Sequence, residues 1–288
     1  FGVLQRLRIK PNQLLWHLSS LIDEGAMADL NDAYANAAYI EGAEGYPPRW
    51  AAASESLRND LGDRAELNVS YGLSVRQAFD FFRPEKAAKG TLIFVHGGYW
   101  RMFDRSSWSY LANGALARGW AVAMPSYDLC PQVRIAGITQ QIAQAVQDIA
   151  ARTTGPISLV GHSAGGHLVA RMLAPGMLPT AVADRLHHVI PISPVSDLSP
   201  LCETDMNDDF QMDTGMSQVE SPMLQPAPST KVTVWVGGDE RPVFLDQAMW
   251  LADAWQCEQV VAKGEHHFNV IDALTDPDSE MLKRLIGN

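Results

Sequence analysis

From residue 67 onward, short apolar runs alternate with stretches whose apolar residues recur every three to four positions. The runs at 67–71 and 77–82 flank Gly72 and predict an antiparallel hairpin. Further strands are predicted at 91–95, 121–124, 157–160, 188–192, 231–236 and 259–262, several of them apolar throughout. Between them, helical spacing covers 108–118, the face made by Ile138, Ile142, Val146 and Ile149, a segment after Ser163, residues 243–255, and a last helix from about Asp278. Strands that are apolar on both faces need cover on both sides. The pattern therefore predicts an α/β fold with a mostly parallel sheet of about eight strands, its first hairpin antiparallel, and helices on both faces.

Two stretches break this alternation. Residues 31–58 are rich in alanine and aromatics and carry Pro47-Pro48, which reads as a break within a helical or irregular arm. Residues 203–230 are acidic (Glu203, Asp205, Asp208, Asp209, Asp213), methionine-rich and punctuated by Pro222, Pro226 and Pro228. A segment that long between two sheet strands is expected to be functional, as a small cap-like insertion over the sheet edge that carries the site. The expected organisation is an N-terminal extension, 1–30, followed by one domain, 31–288. Within the extension, Leu14, Leu18, Leu21 and Ile22 fit a short amphipathic helix. His17, Ser19 and Ser20 interrupt its apolar run, so a signal peptide is not expected. Met27 is a candidate start, which would leave 1–26 as upstream sequence.

Composition narrows the partners. A chain of 288 residues, 47% hydrophobic, can bury a large core. Its net charge of −11 argues against nucleic acid and against docking on anionic membrane. No apolar run approaches the ~20 residues of a membrane span. Cys130, Cys202 and Cys257 lie far apart with no C-x-x-C pair, which fits reduced thiols and a cytoplasmic location. Oligomeric state stays open, a homodimer included.

The chemistry concentrates at strand ends. Gly161-His162-Ser163-Ala164-Gly165 lies between an apolar run and a helical pattern, the context in which Gly-x-Ser-x-Gly forms a nucleophile elbow. A side chain at Gly161 or Gly165 is expected to collide with the neighbouring strand or helix. Acyl transfer through serine also needs a base, an acid to orient it, and donors for the oxyanion. After the last strand come His266 and His267, either of which could be the base; after the strand at 231–236 come Asp239 and Glu240, either of which could be the acid. His187, His188, His162 and His167 take no catalytic role in this reading. Upstream, His96-Gly97-Gly98-Tyr99-Trp100 resembles the His-Gly-Gly loop of lipases and esterases. That resemblance implies an oxyanion hole made by the N–H groups of Gly98, Tyr99 and Ala164.

Together with Tyr127-Asp128-Leu129-Cys130-Pro131 and the elbow continuing through Gly166-His167-Leu168, these segments resemble the arylformamidase (kynurenine formamidase) branch of the α/β-hydrolases, which lies close to the hormone-sensitive-lipase-like esterases. The resemblance runs from about Asn31 to Asp272. It implies that the base is the histidine directly before a phenylalanine, His267, and that the acid stands two residues before the proline of Pro-x-Phe, Glu240. The family often has aspartate at the acid position, so glutamate is a departure. The implied protein is a serine hydrolase that cleaves a small ester or aryl formamide and needs no metal or organic cofactor. Trp100 and Phe103, with Tyr99 and Trp108, are candidates for an aromatic substrate pocket. The motifs do not separate arylformamidase from carboxylesterase. The competing class is a non-catalytic binding module on the same fold. Neither G-x-G-x-x-G nor a Walker sequence occurs.

Overall fold

The computed structural model describes residues 29–287. The amphipathic helix and the start at Met27 expected from the sequence lie outside them. Eight strands form one sheet: β1, Ala65–Ser70; β2, Ala78–Phe82; β3, Thr91–Val95; β4, Ala121–Pro125; β5, Ile157–His162; β6, Leu186–Ile192; β7, Thr233–Gly237; and β8, Glu258–Ala262. Their order is β1-β2-β4-β3-β5-β6-β7-β8. The β1–β2 and β2–β4 pairs are antiparallel, and every later pair is parallel. β3, β4 and β5 are buried at every position, which is why they read as continuous apolar runs.

Ten helices accompany the sheet among the described residues: α1, Leu30–Ala33; α2, Tyr46–Leu61; α3, Asn113–Ala117; α4, Ile135–Arg152; α5, Ala164–Arg171; α6, Thr180–Ala183; α7, Asn207–Phe210; α8, Thr214–Glu220; α9, Pro242–Trp255; and α10, Glu280–Ile286. Alternate strand residues divide the core into two layers. Ile93, Val95, Leu159 and Val236 face one, filled by α4, α5 and α9 through Ile142, Leu168 and Leu251. Leu92, Phe94, Val160 and Trp235 face the other, filled by Trp50 of α2, Trp108 and the α10 residues Leu282 and Leu285.

Two sequence expectations change. Pro47 and Pro48 do not break the arm. They occupy the first turn of α2, where the missing N–H groups would have had no helical partner. The segment 108–118 is α-helical only over α3 and is preceded by 3₁₀ turns at Arg105–Ser107 and Ser109–Ala112.

The arm is pinned to the sheet's carboxyl edge. Arg241 pairs with Asp32 at 2.7 Å and lies over the Tyr39 ring at 3.6 Å, and Gln247 donates to the Tyr34 hydroxyl at 2.8 Å. Segment 203–230 holds α7 and α8 and is anchored from beneath. The buried Glu220 carboxylate accepts from Thr139 at 2.7 Å and from Arg171 Nε at 3.2 Å, while its carbonyl meets His167 Nε2 at 2.8 Å. Burial drives the His167 pKa down to about 4, so its ring is neutral near pH 7.

Candidate active site

The elbow has the backbone strain its position demands. Ser163 lies at φ 56° and ψ −117°, between the end of β5 and the start of α5. For a residue other than glycine such a conformation persists only where its surroundings enforce it. Here they do. A Cβ on Gly161 would stand 2.1 Å from the Gly165 carbonyl oxygen, and one on Gly165 would stand 2.0 Å from that of Val95. β5, β3 and α5 therefore meet backbone to backbone beneath the serine, with the Ser163 N–H bound to Ile192 O at 2.8 Å.

The loop after β3 turns with successive residues at positive φ: Gly98 at 106°, Tyr99 at 49° and Trp100 at 55°. A Cβ on Gly98 would lie 2.7 Å from the Met102 carbonyl oxygen, so this position is reserved for glycine by space as well as by φ. The Gly98 carbonyl accepts from the N–H groups of Arg101 and Met102 at 2.9 and 3.0 Å. Among the described residues, the N–H groups of Gly98, Tyr99 and Ala164 donate to no protein acceptor. Ala164 is the first residue of α5, where the N–H groups have no intrahelical partner. His96 supports the loop from below, stacked on Tyr127 at 4.4 Å, with its Nδ1 at 2.8 Å from Gly97 O.

The two acidic neighbours part company. Glu240 is buried, and its Oε2 lies 2.6 Å from His267 Nδ1. Its other oxygen accepts from the Ser193 hydroxyl at 2.5 Å and from the Gly237 N–H at 2.8 Å. Asp239 is exposed, and its carboxylate makes no hydrogen bond to either histidine. The histidines part company as well. His266 Nδ1 accepts from the Phe268 N–H at 3.1 Å, and its Nε2 shares a 2.9 Å hydrogen bond with the Tyr46 hydroxyl. His267 packs its ring between His162 and Phe244, at centroid distances of 4.6 and 4.5 Å. His162 is fully enclosed, so desolvation holds its pKa well below the usual histidine range and keeps it neutral beside His267.

Ser163 and His267 open onto one cavity of about 800 Å³. The His267 hydrogen bond runs to Glu240, and none joins its ring to Ser163 Oγ. Gly98, Tyr99, Phe103, Trp108, Phe268 and Met206 line the same space. Trp100 does not. It turns into the core, fully buried, edge-on to His167 at 5.1 Å and Phe210 at 5.6 Å. Its expected place in a substrate pocket is thus corrected: the positive φ that turns the loop at Trp100 sends the ring under α5 instead.

Three contributors are missed by sequence reasoning. The arm supplies Tyr34, Asn36 and Trp50 to the cavity wall, and nothing in its alanine-rich pattern marks them. Ser193 holds the Glu240 carboxylate, and its position directly after β6 at the sheet's carboxyl edge is the available signal. His162, the variable residue of the elbow, packs on His267. Among the described residues no group of three His, Cys, Asp or Glu side chains is arranged to hold a metal ion.

Comparison with known proteins agrees with this architecture. A kynurenine formamidase from Drosophila melanogaster is 28% identical over 267 residues, covering 83% of this chain and 89% of that protein. A solved structure from Silicibacter sp., provisionally described as a thioesterase, is 60% identical with a TM-score of 0.88, covering 89% of this chain and 98% of its own. An esterase B structure from Lactobacillus rhamnosis, 19% identical with a TM-score of 0.60 over 84% of this chain and 91% of its own, shares the fold. Residues 92–267, well over half of the chain, match the α/β-hydrolase-fold family, and the chain belongs to it.

Proposed function

We propose that the protein is a serine hydrolase that cleaves a small carboxylic ester or aryl formamide through an acyl-enzyme on Ser163. The observation that carries this reading is the 2.6 Å contact of Glu240 with His267 Nδ1 beside a serine on a strained elbow that opens onto the same cavity. Ser163 Oγ attacks the carbonyl carbon while His267 Nε2 takes its proton. The negative charge that develops on the carbonyl oxygen is met by the N–H groups of Gly98, Tyr99 and Ala164. Collapse breaks the bond to the leaving alcohol or arylamine, which receives the proton from His267. Water then attacks the acyl-enzyme, giving its proton to His267, and the acid product leaves as Ser163 recovers its hydrogen. Glu240 holds the tautomer with Nδ1–H and stabilises the imidazolium at each proton transfer.

The relatives divide on substrate between formamidase and ester or thioester cleavage, and both chemistries need the same parts. Comparing kcat/KM for N-formylkynurenine with that for short-chain p-nitrophenyl esters, in the native protein and in Ser163→Ala, tests the reading. Hydrolysis of either class that vanishes in the variant supports it, and hydrolysis retained in the variant contradicts it.

A further inference from the structure

His266 is half-buried and stands one residue before His267, and its ring reaches over that residue. Its Nδ1 accepts from the Phe268 N–H at 3.1 Å, so His267 is the one residue enclosed between the two ends of the contact. The backbone of His266 is tied as well. Its N–H donates to Asn269 Oδ1 at 2.7 Å, and its carbonyl accepts from the N–H groups of Asn269 and Val270 at 3.2 and 3.1 Å.

These contacts fix the tautomer. An Nδ1 that accepts must keep its lone pair, which leaves the single proton of the neutral ring on Nε2. Nε2–H donates to the Tyr46 hydroxyl oxygen at 2.9 Å. Tyr46 opens α2 and is itself held, edge-on to Phe268 and Trp50 at 5.5 and 5.7 Å. Arg49 lies over its ring at 4.3 Å and pairs with Asp272 at 3.4 Å. One nitrogen of His266 therefore grips the backbone that carries His267, and the other grips the arm's helix.

We infer that His266 is a positioning residue: its neutral ring clamps the backbone on either side of His267 and so aims the imidazole that Glu240 orients. The inference rests on the serine-hydrolase reading above, in which His267 is the base. A proton gained at Nδ1 turns the acceptor into a donor facing the Phe268 N–H, and the clamp opens. The groups around the ring bear on that proton. Burial lowers the His266 pKa from its ordinary 6.5, Glu265, Glu240 and Asp272 pull it upward, and His267 lowers it further. Tyr46 and Arg49 approach from α2, and Tyr39, Asp239 and Arg241 face it across a small cavity of about 190 Å³. Near pH 7 the ring is neutral and the clamp is closed.

The test compares His266→Leu, which has no acceptor, with His266→Asn, whose Oδ1 can take the Phe268 N–H in an Asx turn and cannot be protonated. kcat and KM for p-nitrophenyl acetate are measured from pH 4.5 to pH 8. At pH 7.5, kcat is expected to fall about tenfold or more in the leucine variant, with KM within about threefold, and to recover to within about threefold of native in the asparagine variant. On the acid limb, log kcat/KM of the native protein is expected to bend from slope 1 towards slope 2 as His267 and then His266 take up protons, while the asparagine variant stays at slope 1. Acid unfolding steepens both limbs alike, so the difference between them isolates His266. If the leucine variant does not fold, His266→Gln takes its place, since its amide can reach Tyr46 from the Nε2 position but leaves nothing at Nδ1. A leucine or glutamine variant within about threefold of native kcat, an asparagine variant no faster than that one, or native and asparagine limbs of equal slope overturns the inference and leaves the serine-hydrolase reading standing. A native protein that neither hydrolyses the ester nor reacts with a fluorophosphonate probe overturns that underlying reading instead.

Discussion

Glu240 Oε2 lies 2.6 Å from His267 Nδ1, while the neighbouring Asp239 is exposed and makes no such contact. The Gly237 N–H and the Ser193 hydroxyl fix the other carboxylate oxygen, so both oxygens of the longer glutamate side chain are held. Removing the carboxylate leaves His267 without the group that selects its tautomer. Glu240→Gln is therefore expected to lower kcat by about 10³-fold or more, whereas Asp239→Ala stays within about threefold of the native protein. Steady-state kinetics on the two variants side by side checks this, and comparable losses would reassign the acid.

The two glycines that frame the elbow are expected to respond unlike an ordinary helical glycine. A Cβ at Gly165 would meet the backbone oxygens of Val95 and His96 at 2.0 and 2.6 Å, where no side-chain rotation relieves the overlap. Gly165→Ala should cost about 3 kcal/mol of stability or more. Gly137, near the start of α4, has only Val133 Cβ at 3.9 Å. Gly137→Ala should raise stability by about 0.5–1 kcal/mol. Urea unfolding of both variants distinguishes a packing role from mere helix propensity.

Legibility in the sequence follows the same division. The central strands of the parallel region can be read, because burial on both faces leaves unbroken apolar runs such as Thr91–Val95. The elbow could be read because sterics permit almost nothing else at Gly161 and Gly165. The residues that complete the site were harder. Asn36 and Trp50 reach the cavity through the path of an arm whose local sequence has no period to report it. Trp100 was misplaced for a related reason: an aromatic beside an oxyanion loop reads as a pocket residue until the backbone turn that buries it is known. Pro47-Pro48 carries one signal with two meanings, helix breaker or helix opener, and only the onset of α2 decides between them.

Acid stability is expected to be governed in part by buried histidines. His96, His167 and His188 have pKa values lowered by burial to about 4, and His162 is lowered as well, against an ordinary value of 6.5. Between those limits the unfolded chain binds more protons than the folded one. Their contribution is therefore present above pH 6.5 and is lost as the pH falls towards 4. Asp246 and Asp272, whose carboxyls are raised by burial, act in the opposite sense nearer the carboxylate range. Urea midpoints should drop steadily from pH 7 to pH 4.5, with about four protons taken up on unfolding. A flat profile across that interval would mean that these rings are charged or exposed.

The central claim is that Ser163 is the nucleophile, and its most direct measurement is the site of covalent capture. The native protein is treated with a fluorophosphonate probe, digested, and the modified peptide identified by mass spectrometry, with Ser163→Ala and His267→Ala treated in parallel. The account predicts near-stoichiometric modification of Ser163, none in Ser163→Ala, and labelling slowed by at least about a hundredfold in His267→Ala, which lacks the general base. A folded protein that hydrolyses esters yet leaves Ser163 unmodified, or carries the probe on another residue, would contradict it.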